Sequence, residues 1–107
     1  MAAKNVNAQQ FRALIQSEKP VLVDYWAPWC GYCRRIAPAY DRIAQQYADT
    51  LEVVKINIDE EPGLAAQEQI EVIPTLVIYR GGKALDSVVA PESKAMIDAF
   101  IEQSLAK

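Results

Sequence analysis

The chain contains two cysteines, Cys30 and Cys33, and both fall in the segment Trp29-Cys30-Gly31-Tyr32-Cys33. Thiols three positions apart in the first turn of a helix face the same side, with Cβ atoms roughly 5–6 Å apart. A disulfide needs about 3.5–4.5 Å, so closing the bridge takes a local adjustment, which Gly31 can absorb because it lacks a Cβ. Such a pair suits a bond that is made and broken, the chemistry of dithiol–disulfide exchange. Metal is a competing use. Structural zinc takes four ligands, however, and with no histidine and no third cysteine in the sequence only two copies sharing ligands could complete a site. Two inert thiols are the plainest alternative, since free cysteine packs as a small hydrophobe.

Composition narrows the setting of this pair. At 107 residues the chain is read as one domain, 1–107, with a single core. Hydrophobic residues make up 51% of it, which argues against disorder. The net charge of −3 comes from interspersed acids and bases, so neither nucleic acid nor an anionic membrane is indicated as a partner. The start, Met1-Ala2-Ala3-Lys4-Asn5, has no apolar stretch like a leader, and no later run reaches membrane-spanning length. The expected location is the cytoplasm. There a structural disulfide is disfavoured, and a catalytic or redox-sensing one is favoured.

The elements that must position the thiols can be read from hydrophobic period and turn residues. Asn7 with Gln10 resembles a capping box, and Phe11, Leu14 and Ile15 recur at helical spacing, giving a first helix over 8–17. Pro20 to Trp26 is apolar on both faces apart from Asp24, the pattern of a central strand covered by helices on both sides. The cysteines follow at its exit. Ile36, Tyr40, Ile43 and Tyr47 then mark a long amphipathic helix, with Pro38 inside it to kink it. Glu52–Ile58 reads as a strand rich in β-branched residues, and Asp59–Pro62 opens a weaker helix through about Ile70. Thr75–Tyr79 and Leu85–Val89 form an antiparallel pair about the turn Arg80-Gly81-Gly82-Lys83. Ser93 caps a last helix whose apolar stripe is Met96, Ile97, Phe100, Ile101 and Leu105. The fold class is α/β.

Several ordered blocks, taken together, resemble the thioredoxin family over essentially the whole chain. They are Val23-Asp24-Tyr25-Trp26-Ala27-Pro28-Trp29-Cys30-Gly31, Ile36-Ala37-Pro38, Lys55-Ile56-Asn57-Ile58-Asp59, Ile73-Pro74-Thr75-Leu76, and Gly82 in the hairpin. The resemblance implies the thioredoxin fold, a central mixed sheet of about five strands flanked by four helices. It implies a monomeric protein-disulfide reductase with no bound cofactor and no metal, whose redox group is the Cys30–Cys33 disulfide. Its partners would be disulfide-containing proteins and a thioredoxin reductase drawing on NADPH or ferredoxin.

Each block also has a physical task. Cys30 lies nearest the helix N-terminus, where free backbone N–H groups and the macrodipole favour negative charge, so it is the expected nucleophile. Cys33 then resolves the mixed disulfide from one turn away. Burial should raise the pKa of Asp24 and fit it to move a proton, and the resemblance assigns that proton to Cys33. Lys55, on a neighbouring strand, is the candidate partner of Asp24. The resemblance makes Pro74 cis, which the sequence alone does not indicate. The backbone at Ile73 could then pair with an extended substrate peptide. Trp29, Tyr32 and Ile73 should surround Cys30 with apolar docking surface, with Gly31, Pro74 and Ala90 completing it. Trp26 and Tyr25 are read as packing residues, and Arg34 and Arg35 as a solvated helix face.

Two positions depart from the family pattern. Tyr32 stands where proline is usual, which restores a backbone N–H near the Cys30 sulfur. An added donor stabilises the thiolate and makes the couple more oxidising. Ala90-Pro91 stands where the family generally has glycine after the fifth strand, on the docking surface. Two other functions therefore remain open. One is a disulfide oxidase or isomerase, and the other is a binding subunit that uses the fold without turnover.

Overall fold

The computed structural model describes residues 2–107. Along the chain run β1 (Lys4–Asn5), α1 (Ala8–Ile15), β2 (Val21–Trp26), α2 (Gly31–Gln46) and β3 (Glu52–Asn57), then α3 (Pro62–Gln67), β4 (Thr75–Arg80), β5 (Lys83–Val89) and α4 (Lys94–Leu105). The strands make one mixed sheet in the order β1-β3-β2-β4-β5. β2 is its middle strand, paired in parallel with β3 and antiparallel with β4.

The period-two alternation of β2 sorts its side chains between two layers. Val21, Val23 and Tyr25 pack with Phe11 of α1 and Leu64 of α3. Leu22 faces the other way, against Ile36, Tyr40 and Ile43 of α2 and Ile97, Phe100 and Ile101 of α4. Val21 through Tyr25 are all buried as a result, which is why the strand reads as nearly unbroken apolar sequence. Asp24 shares the parity of Leu22 and belongs to the α2 layer. Tyr40 stitches that layer to the sheet, its hydroxyl lying 3.1 Å from the Leu22 carbonyl and 2.8 Å from that of Val54.

Local signals set most boundaries. Asn7 and Gln10 form the reciprocal capping box of α1, and Ser93 Oγ accepts the Met96 amide at the start of α4. Gly81 and Gly82 adopt φ of 62° and 81°, the left-handed region a tight hairpin needs and glycine tolerates. Four expectations require correction. β1, not anticipated, is two exposed residues defined only by pairing with Val54 and Lys55. The helix expected over 8–17 stops at Ile15, with Ser17 Oγ donating to the Leu14 carbonyl. The helix expected from Asp59 to Ile70 spans only Pro62–Gln67, and Gln69 at φ 59° turns the chain out of it. Met96 is 45% exposed; the buried stripe of α4 is Ile97, Phe100, Ile101 and Ser104, spaced at three and four residues, and Met96 falls outside it.

The α1 cap gives a stability prediction. Phe11 couples α1 to the core, so Asn7→Ala should lower global stability by about 1 kcal/mol. Urea denaturation should show a lower midpoint at unchanged slope; an unchanged midpoint contradicts the coupling.

Candidate functional site

β2 ends at Trp26, and the chain turns through Ala27, Pro28 and Trp29 before α2 begins at Gly31. The turn is held by the Cys30 amide donating to the Ala27 carbonyl over 3.1 Å, and by the Arg34 guanidinium donating to the Pro28 carbonyl over 2.7 Å. Cys30 is thereby the N-cap residue of α2, with extended backbone, and its sulfur accepts the Cys33 amide over 3.1 Å. A sulfur thus occupies the place a serine or aspartate oxygen takes in an ordinary cap. Negative charge developing there meets the orphan amides and the positive end of a sixteen-residue helix.

Cys30 and Cys33 are joined as a disulfide, with Cα atoms 5.3 Å apart. Both are buried, in a small apolar group with Ala27 that Trp26, Tyr32, Ile58 and Ile73 cover. Gly31 is exposed, and a Cβ there would meet only the Arg34 guanidinium, at 3.9 Å. The exposed face at Gly31, between the two cysteines, is therefore open. Trp29 is 66% exposed and tethered, its indole N–H donating to Asp59 Oδ2 over 2.9 Å.

Asp24 lies one strand position pair behind the turn and is 1% exposed. Its Oδ1 accepts no hydrogen bond among the described residues. Burial pushes its pKa up to about 7, with the Lys55 charge opposing. Lys55 is its register partner across the parallel β2–β3 pair, but the two form no ion pair. The Lys55 ammonium instead sits 4.3 Å from the centre of the Trp26 ring, a cation–π contact, and acts on Asp24 through space. Trp26, read as a packing residue, thus also holds this charge, and its own indole N–H donates to Asn5 Oδ1 over 2.8 Å.

The Ile73–Pro74 bond is cis, and the Ile73 carbonyl lies 4.0 Å from Cys30 Sγ. The Pro74 carbonyl accepts the Ala90 amide over 2.8 Å, which brings the segment after β5 alongside. Ala90 holds φ at 47°, left-handed backbone that favours glycine. Tyr32 points to this segment, and its hydroxyl donates to the Pro91 carbonyl over 3.2 Å. Tyr32 and Ile73 thus pack on the disulfide, Pro74 and Ala90 are joined beside Ile73, Asp24 is buried in β2 behind the turn, and Lys55 and Trp29 direct their side chains to Trp26 and Asp59 instead. Sequence reasoning missed Asp59 and the second task of Trp26. The only available signal for Asp59 was an acid at the exit of β3, level with the exit of β2.

The thioredoxin family profile matches residues 2–103. Thioredoxin 1 of Nostoc sp. is 47% identical over 105 residues, covering 97% of this chain and 98% of its own. The chloroplastic M-type thioredoxin of Chlamydomonas reinhardtii is 45% identical, over 94% of this chain and 72% of its own. Among solved structures, Malassezia sympodialis thioredoxin superposes with a TM-score of 0.88 at 28% identity, covering 96% of this chain and 90% of that one. The chain belongs to the thioredoxin family and is a thiol-disulfide oxidoreductase with the thioredoxin fold. Its redox group is the cysteine pair itself.

Asp24 carries a pH prediction. Its folded pKa of about 7 lies above the ordinary 3.8, so between those values the folded chain holds a proton that the unfolded chain has released. Stability therefore falls as pH rises from about 4 to about 7 and levels off above. Asp24→Asn should abolish that slope and be more stable than the parent at pH 8 by on the order of 4 kcal/mol. Urea titrations at pH 4, 6 and 8 check this; a gap between the two proteins that does not widen with pH contradicts it.

Proposed function

We propose that this protein reduces protein disulfides, with Cys30 as nucleophile and Cys33 as resolving thiol. One observation carries the reading: in a cysteine pair flanking the exposed Gly31, the Cys30 sulfur caps α2 and accepts the Cys33 amide. In the reduced state the Cys30 thiolate attacks one sulfur of a substrate disulfide. The substrate S–S bond breaks, a mixed disulfide forms, and the departing substrate thiolate takes up a proton. Cys33 then attacks Cys30 Sγ, the second substrate thiol leaves, and the Cys30–Cys33 disulfide is formed. Two electrons pass to the substrate. Asp24 is the base that takes the Cys33 proton, and its elevated pKa suits it to hold or release one near neutrality. Lys55 tunes that carboxyl.

Ile73 offers its backbone to an extended peptide, while Trp29, Tyr32, Gly31, Pro74 and Ala90 form the surrounding docking surface. A reductase, fed by NADPH or ferredoxin, returns the pair to the dithiol. The chain acts as a single domain and a monomer in the cytoplasm. Chloroplastic relatives make a plastid the other compartment to test by fractionation. No helix among the described residues is long and apolar enough to cross a membrane.

A second reading has one observation behind it. Tyr32 contributes a peptide N–H in the first turn of α2, where a proline would contribute none, next to the Cys33 amide that meets the Cys30 sulfur; a second donor turned to the thiolate would stabilise it and favour the oxidising direction. Reduced protein supplied with insulin and a low-potential reductant, and then with scrambled ribonuclease, separates the two. Rapid insulin reduction supports the reductase; efficient unscrambling without it supports the isomerase, and neither supports a non-turnover subunit.

Two variants test the roles. Cys33→Ser should accumulate a mixed disulfide on Cys30, visible by mass under non-reducing conditions; its absence contradicts the assignment. Tyr32→Pro should lower the reduction potential by about 30 mV, the equivalent of one charge-assisted hydrogen bond. Equilibration of both proteins with glutathione measures this, and a proline variant no more reducing than the parent overturns the argument.

A further inference from the structure

Three contacts join three separate segments into a closed ring that includes Cys30. Cys30 Sγ lies 4.0 Å from the Ile73 carbonyl, linking the start of α2 to the loop before β4. The Ala90 amide donates to the Pro74 carbonyl over 2.8 Å, linking that loop to the segment after β5. The Tyr32 hydroxyl donates to the Pro91 carbonyl over 3.2 Å, and this bond returns the ring to α2. The two segments joined at Pro74 and Ala90 each display an apolar side chain to solvent, Val72 at 54% and Val89 at 52% exposure. The Tyr32 ring itself is half-buried and packs against the core, with the Arg35 guanidinium 5.9 Å from its centre. Its hydroxyl is thus presented to Pro91 by a side chain with little freedom to move.

We propose that Tyr32 is a specificity-determining positioning residue, whose hydroxyl holds the Ala90–Pro91 segment at a fixed distance from Cys30. That segment and Ile73 then form a preformed shelf for the extended, apolar peptide flanking a substrate's disulfide. The proposal rests on the reductase reading above. Its physical basis is preorganisation: a wall already in place costs no ordering entropy when the peptide docks, whereas a loosened one must be ordered at the expense of binding. Ala90 is held in left-handed backbone, a conformation that non-glycine residues keep only when their surroundings impose it. The Tyr32–Pro91 and Ala90–Pro74 bonds are the two restraints on either side of it.

Tyr32→Phe removes the hydroxyl and keeps the ring and the backbone amide. KM for a protein disulfide such as insulin should rise roughly two- to tenfold, the factor that one neutral hydrogen bond represents, with kcat little altered. The ratio of that KM to the KM for a small symmetrical disulfide with no peptide flank should rise by the same factor. The reduction potential against glutathione should stay with the parent. An equal rise on both substrates, which leaves the ratio unchanged, or a shifted potential overturns the proposal, the latter because the Tyr32 hydroxyl would then act on the sulfurs directly. Failure of the parent protein to reduce insulin at all would instead overturn the reductase reading, and the proposal with it.

Discussion

The enclosure of β2 is the constraint on which the site depends. Its residues Val21 to Tyr25 are buried on both faces and hydrogen-bonded on both edges, so the strand has no freedom of register or tilt. A one-residue slip would exchange the α1–α3 layer for the α2–α4 layer. Two functional facts follow from this one packing fact. The exit of the strand is fixed, so Cys30 arrives at the N-terminus of α2 with its sulfur in the capping position. The parity of the strand is fixed too, so Asp24 must enter the α2 layer, where helix and sheet exclude water.

Around that fixed exit, chain segments distant in sequence are brought into range by sheet order alone. β4 lies next to β2 and β5 next to β4, so the loop entering β4 and the segment leaving β5 meet at the same end of the sheet as the dithiol. The antiparallel pairing is what does this. Thr75, the first residue of β4, pairs with Val89, the last of β5, and with Tyr25 near the end of β2. Ile73 and Pro74 lead into the start of β4, Ala90 and Pro91 continue the end of β5, and Ala27 to Cys30 continue the end of β2. β3 runs parallel to β2, so its exit also arrives there, and Asp59 reaches the indole of Trp29.

The sequence made part of this legible because some residues carry their environment with them. An uninterrupted apolar run implies burial on both faces, and a single acid inside it implies a raised pKa. Both readings hold for Val21–Tyr25 and Asp24. Capping signals at Asn7 and Ser93 and glycines at the hairpin are equally local, and the elements form where they say. What escaped was set by partners elsewhere. β1 exists only because β3 offers an edge. Lys55 stands on the strand next to Asp24, yet its ammonium lies over Trp26, since the choice between a carboxylate and an indole face depends on where two long side chains end. The contact between Tyr32 and Pro91 spans fifty-nine positions and has no periodicity to announce it. Those two regions were nonetheless the ones that departed from the family pattern.

Two features of the site lower stability, and their placement is itself evidence about function. Asp24 is a carboxyl buried with one oxygen unsatisfied, a burden of several kcal/mol once it ionises. Ala90 is left-handed at a cost of roughly 1–2 kcal/mol. A domain of this size has a margin of only about 5–15 kcal/mol, so neither is trivial. Each could be relieved by a single substitution, to a neutral side chain at position 24 or to glycine at position 90. Local rules broken together around one reactive group, in a chain otherwise consistent with its fold, mark that region as the one shaped by chemistry. At Asp24 the result is a buried carboxyl whose pKa is raised to about 7, which is the property the proposed proton transfer needs. At Ala90 it is a segment with fewer conformations open to it than glycine would allow, tied to Pro74 by its own amide.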